Sequence, residues 1–211
     1  MHIAKAFKQD DHLQLQNIMV KYPFANLVSY SESGLDVNHL PLFLDIKNDK
    51  AMLQGHIAKA NPLWKNLNAN SEVLVVFQGP NCYISPSLYP TKKENGRAVP
   101  TWNYVSVHIK GEIRMRFDND FKLDMLHNLT FQQEQNQEVP WSIYDAPSEY
   151  IERMLPAIVG IEIQIKSMQG QWKVSQNQPE INKQGVVAGL SKSQSNDVLE
   201  MAALVKDHIF N

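Results

Sequence analysis

Apolar and polar residues alternate along Val105, Val107, Ile109, Ile113 and Met115, with Ser106, His108, Lys110, Glu112 and Arg114 between them. A period of two sustained to Arg116 predicts a long β-strand with one buried face. The same period returns in Val159, Ile161, Ile163 and Ile165 against Glu162, Gln164 and Lys166, and Gln169-Gly170 then reads as the turn of a hairpin whose second arm starts at Trp172. Val73 to Phe77 is a continuous apolar run, which predicts a strand buried on both faces, and Gly79-Pro80 after it reads as a turn. Upstream, residues 24–30 and 36–44 flank Ser31-Glu32-Ser33-Gly34, and Asn48-Asp49 separates the second of these strands from residues 51–55. An antiparallel meander follows from that spacing.

Helical spacing appears between and after these strands. Leu13, Leu15, Ile18 and Met19 follow the capping pair Asp10-Asp11 and stop at Tyr22-Pro23, because a residue before proline avoids the helical region. Asn61-Pro62 predicts a short helix through Trp64 and Leu67; Asp118 starts one carrying Phe121, Met125 and Leu129; Ser148 starts another that Pro156 limits. Val198, Met201, Ala202, Val205 and Ile209 predict a C-terminal amphipathic helix at about 195–210, whose apolar face must pack on this chain or on a partner. Many strands with helices outside them point to a mainly β chain built as a closed antiparallel barrel, and 211 residues suit a single domain over 1–211.

Composition narrows the functional classes. A 43% apolar and 20% charged chain is globular, and a formal net charge of -2 supplies no global field toward phosphate backbones. Lys92, Lys93 and Arg97, interrupted by Glu94, read as a solvated loop. Cys82 is the single cysteine, so no disulfide forms within one chain, and no segment is apolar enough to span a bilayer. A cytoplasmic protein without a membrane partner is the expectation. Ser85 and Ser87 lack a nucleophile elbow, and His39, His56 and His108 lack the close spacing of a metal motif.

Chemistry concentrates between Cys82 and His108, where Tyr83, Ser85, Tyr89, Trp102, Asn103 and Tyr104 offer flat faces and hydrogen-bonding groups around three prolines. Such a segment suits a planar heteroaromatic ligand or a subunit interface. Here the pieces VNHLPLFL, GHIAKANPLW, VFQGPNCYISP, VPTWNYVSVH and KVSQN, in that order along nearly the whole chain, make it resemble the PaiB-like family of FMN-binding split-barrel proteins, whose members are labelled negative transcriptional regulators.

That resemblance implies a mainly β fold, an FMN-binding split β-barrel with peripheral α-helices, working as a homodimer with the cofactor between subunits. It also implies FMN as cofactor and regulation of transcription as the role, with DNA contacted at a specific site either directly or through a partner. For the phosphate it implies His39, His56, Lys59 and Asn61; Lys59 stands where the family leads one to expect arginine, and lysine keeps the charge but loses the bidentate fork. For the rest of the cofactor it implies Tyr83, Ser85, Trp102 and Asn103, with Trp102 and Asn103 on a loop leading into the long strand, and Lys173 as a further cation. The alternatives are a flavin-dependent oxidoreductase and a non-catalytic protein binding haem or another planar ligand.

Overall fold

A computed structural model describes residues 1–47 and 50–210. Its strands in chain order are β1 (Lys8–Gln9), β2 (Phe24–Ser31), β3 (Gly34–Pro41), β4 (Phe43–Lys47), β5 (Lys50–Ala58), β6 (Ser71–Ile84), β7 (Thr101–Arg116) and β8 (Ile158–Lys173). Helices are α1 (His12–Lys21), α2 (Leu63–Asn66), α3 (Lys92–Asn95), α4 (Asn119–Glu134), α5 (Ser148–Met154), α6 (Glu180–Leu190) and α7 (Asn196–Phe210). Hydrogen-bonded neighbours follow the order β3-β2-β6-β7-β8-β5-β4, with β1 added to β8. The chain clusters into two compact units, Met1–Leu15 with Gln78–Val107 and Gln169–Asn211, and Gln16–Phe77 with His108–Met168. They are called the first and second unit below.

In the second unit, β2 and β3 form a hairpin in the register Ser31↔Gly34, with Gly34 at φ 102°, a conformation open to glycine at no steric cost. The expected single strand over 36–44 is two strands. Pro41 has no amide to give the ladder, the Leu42 amide donates instead to Pro23 O (2.9 Å), and from Phe43 the chain pairs with β5. The turn at Asn48-Asp49 lies outside the described residues. Helix α4 begins as its sequence predicts: Asp118 accepts from the Phe121 amide (3.0 Å), and Phe121, Met125 and Leu129 form a buried cluster with Phe43 and Leu126.

Two expected turns are strand interior. The β2 ladder covers only Leu74 to Val76 of β6, so the missing Pro80 amide falls beyond it and Gly79-Pro80 continues the strand to Ile84. The run from Val73 to Phe77 buries alternate residues rather than both faces. Gly170 is likewise not a turn: it pairs with Gln9, and a Cβ there would sit 2.3 Å from the Leu15 side chain and 2.9 Å from Gln9 O. Close approach of a neighbouring backbone, not chain reversal, requires that glycine. In the first unit, α7 packs against α6 and buries Met201, Ala202 and Val205, so the tail helix covers its apolar face within its own chain.

Candidate functional site

The phosphate-binding candidates of the second unit gather around the turn that follows β5. Asn61 holds this turn: its Oδ1 accepts from the Leu63 amide (2.9 Å) and opens α2, while its Nδ2 donates to Asn38 Oδ1 on β3 (2.5 Å). Lys59 is exposed, and its Nζ lies 4.3 Å from the Trp64 ring centroid and 4.8 Å from that of Phe117, two rings meeting edge to face at 5.9 Å. The Trp64 indole donates to Lys59 O (3.0 Å), which fixes the backbone under that ammonium. Among the described residues no carboxylate pairs with Lys59. The rings hold the stem in place and leave the charge facing water.

His56 stands within β5, opposite Gly160 of β8, rather than at the strand's end. Its Nδ1 is buried without a hydrogen-bond partner, and burial holds the imidazole below the usual histidine value. A depressed pKa means the unfolded chain binds the proton first, so stability is full above about pH 6.5 and falls as pH drops toward the folded value. Urea midpoints measured across that range should decline in the wild type and decline less in His56→Gln. His39 is exposed on β3, paired with Asn26 across the hairpin (Nδ1 to Oδ1 2.5 Å) and stacked on Phe24 with centroids 6.4 Å apart.

The remaining candidates belong to the first unit, and strand geometry divides them. Trp102 and Asn103 lie within β7, not on a loop before it, so successive side chains leave on opposite faces. Trp102 is half-exposed, donates to Asn81 Oδ1 (3.1 Å) and meets the equally exposed Tyr83 edge to face at 6.2 Å. Asn103 points the other way and is 1% exposed; its amide donates to Ser175 Oγ (2.8 Å), while its Oδ1 has no partner. Lys173 donates to Thr101 Oγ1 and lines the same cavity as Asn103, of about 360 Å³. Ser85 starts a helical turn over Pro86–Leu88, its hydroxyl accepting from the Ser87 amide (3.2 Å).

Three features escape a reading of the sequence. Ser175 sits at φ 61°, a left-handed conformation that serine gives no signal for, and Gln176 braces it by accepting from the Val174 amide and donating to Trp172 O. Arg97 and Thr101 join the cavity lining from a segment that reads as loop. The Cys82 thiol is pushed up to about 11, first by burial and then by the charge of Asp197, and is inert as a nucleophile at neutral pH. Among the described residues no group of histidine, cysteine and carboxylate side chains could hold a metal ion, and no helix is long and apolar enough to cross a membrane.

The antiparallel sheet with its helices is of the flavin split-barrel class. Residues 1–167 match the family described as "Putative FMN-binding domain", and the chain belongs to this family. Among relatives it is 32% identical over 209 residues to Protease synthase and sporulation protein PAI 2 of Bacillus subtilis, covering 99% of this chain and 98% of that protein. Solved structures with the same fold include the FAD and haem binding protein from Mycobacterium smegmatis (TM-score 0.58, 12% identity, 79% of this chain and 73% of that one). The flavocytochrome Anf3 from Azotobacter vinelandii shares it as well (TM-score 0.55, 13% identity, 81% and 72%).

Proposed function

We propose that this protein binds FMN as a homodimer, with the phosphate held at the turn after β5. The carrying observation is the un-neutralised Lys59 ammonium, framed by Trp64 and Phe117 three residues after His56, whose buried Nδ1 lacks a partner. A phosphate dianion supplies an acceptor for the Lys59 ammonium, so the residues present fit the cofactor. Asn61 acts by holding the turn. In the first unit, taken by itself, Tyr83 and Trp102 are ring-stacking candidates, supported by their own exposed edge-to-face geometry, with Ser85 two residues after Tyr83. Bound FMN supplies one- and two-electron redox chemistry.

The second subunit covers the outer face of the β2–β3 hairpin. Residues directly opposite across the ladder share a face, so Phe24, Val28 and Tyr30 stand with Leu35, Val37 and His39. Four of these are large, apolar and open to solvent: Leu35 77%, Tyr30 71%, Phe24 66% and Val37 48%. A contiguous patch of this kind marks an interaction surface, and a two-fold pairing lets one patch cover its copy. His39 lies within it, which supports a cofactor near the subunit boundary. The finer role is regulatory: the Bacillus relative's name, which refers to protease synthase and sporulation, supports control of gene expression. With a net charge of -2, specific DNA contact would rest on a local surface or a partner.

Fluorescence titration tests the site. Lys59→Ala is expected to weaken FMN about five- to 150-fold, on the order of 1–3 kcal/mol for one charge-assisted contact, and to leave riboflavin, which has no phosphate, unchanged. Lys92→Ala, on the exposed α3, is expected to bind FMN as the wild type does. Equal FMN affinity in wild type and Lys59→Ala removes Lys59 from the site.

A further inference from the structure

The first unit holds a second constellation that the phosphate turn does not use. Its cavity of about 360 Å³ falls in the size range of small-molecule sites. Lys173 lines it, and among the described residues that line it there is no carboxylate. Lys173 makes one side-chain contact, to the Thr101 hydroxyl, and no anion among the described residues neutralises it. Apolar surface comes from Phe7, Tyr89 and Val99.

The decisive atom is Asn103 Oδ1. Its residue lines the cavity and is 1% exposed, its own amide is fixed by Ser175, and the oxygen is buried with no donor. Buried acceptors are paired as a rule, because an unpaired one has given up water for nothing. The cavity therefore offers one fixed acceptor beside a cation, with apolar surface to one side. Its wall is firm: Asn182, buried on α6, accepts from the Thr91 amide (3.3 Å) and hydroxyl (3.0 Å), tying that helix to the segment that carries Tyr89.

We infer that this cavity is a binding site for an amphipathic carboxylate that carries an N–H or O–H donor next to its anionic group. The carboxylate meets Lys173, the donor satisfies Asn103 Oδ1, and the apolar body lies on Phe7 and Tyr89. Specificity follows from the pairing of charge and donor. A ligand with the charge alone leaves Asn103 unpaired, and one with the donor alone leaves Lys173 without its anion.

Isothermal titration of the full chain with three matched probes tests this. N-acetyl-L-phenylalanine has carboxylate, amide N–H and apolar ring; 3-phenylpropionate lacks the donor; N-acetyl-L-phenylalaninamide lacks the charge. The first is expected to bind saturably at one site per chain, and each of the others about tenfold or more weaker. Lys173→Met should bring the acid down to the level of the amide, and Lys173→Arg should restore the difference. The wild-type comparison stands alone if Lys173→Met does not fold. The inference is overturned by no saturable binding of the acid up to about 10 mM, by equal affinities for the three probes, or by an unchanged preference in Lys173→Met. Binding of the acid that FMN displaces competitively overturns the claim of a separate site, whereas failure of FMN binding alone leaves it intact.

Discussion

Leu35→Glu combined with Val37→Glu is expected to turn the proposed dimer into a monomer at micromolar concentration. Both side chains already face solvent within one chain, so the substitution removes little from the folded subunit and its effect falls on association. Four carboxylates would enter an apolar contact about the two-fold axis, where like charges brought together cost several kcal/mol; on the order of 3 kcal/mol is more than a hundredfold in dimer dissociation. Sedimentation velocity reads the change directly, with circular dichroism confirming the fold. A wild type that sediments as a monomer, or a double variant that still sediments as the dimer, removes this face as the interface. The tail helix contributes nothing to the case for a dimer, since Met201 and Val205 are covered by their own chain.

Gly185→Ala should be the most destabilising single-methyl change in α6. An ideal Cβ at this position lies 2.2 Å from Leu88 O and 2.7 Å from Pro90 Cδ, a backbone oxygen and a ring that cannot rotate away. Alanine gains about 1 kcal/mol of helix propensity over glycine, but parting the helix from the Leu88 segment costs more, and a net loss of about 2–3 kcal/mol follows. Gly189→Ala is the internal comparison: its nearest atom, at 2.3 Å, is a Leu88 methyl that can change rotamer, so its loss should be smaller. Urea denaturation orders the two variants. Equal midpoints for wild type and Gly185→Ala would mean that the α6 contact is looser than its geometry.

The same glycines explain why α6 is hard to read from sequence. This helix buries only Val186 and Leu190 in line with Asn182 and meets the Leu88 segment through Gly185 and Gly189, so its apolar stripe is short and its glycines look like loop. By contrast, β7 and α7 present their apolar positions at unbroken periods of two and three to four, and both stand where those periods place them. Gly79-Pro80 and Gln169-Gly170 carry turn chemistry, yet lie in strands because Pro80 falls beyond the β2 ladder and because Leu15 and the Gln9 backbone occupy the space of the side chain that Gly170 lacks. Legibility of the site follows the same division. His56 in β5 and Lys59 and Asn61 on the turn after it lie within six residues, so one local window holds these three candidates. Asn103 and Ser175 meet across 72 positions, and no window on the sequence contains both.

Cys82 gives the molecule an internal clock. With its pKa near 11, roughly one thiol in a thousand is ionised at pH 8, and burial denies reagents that small fraction too. Alkylation must therefore wait for the surrounding structure to open. Because the chain has one cysteine, each modification event reports the opening of one identified place. Whatever tightens the first unit, including a ligand in its cavity, slows that clock, and occupancy becomes measurable in a protein that carries no added label.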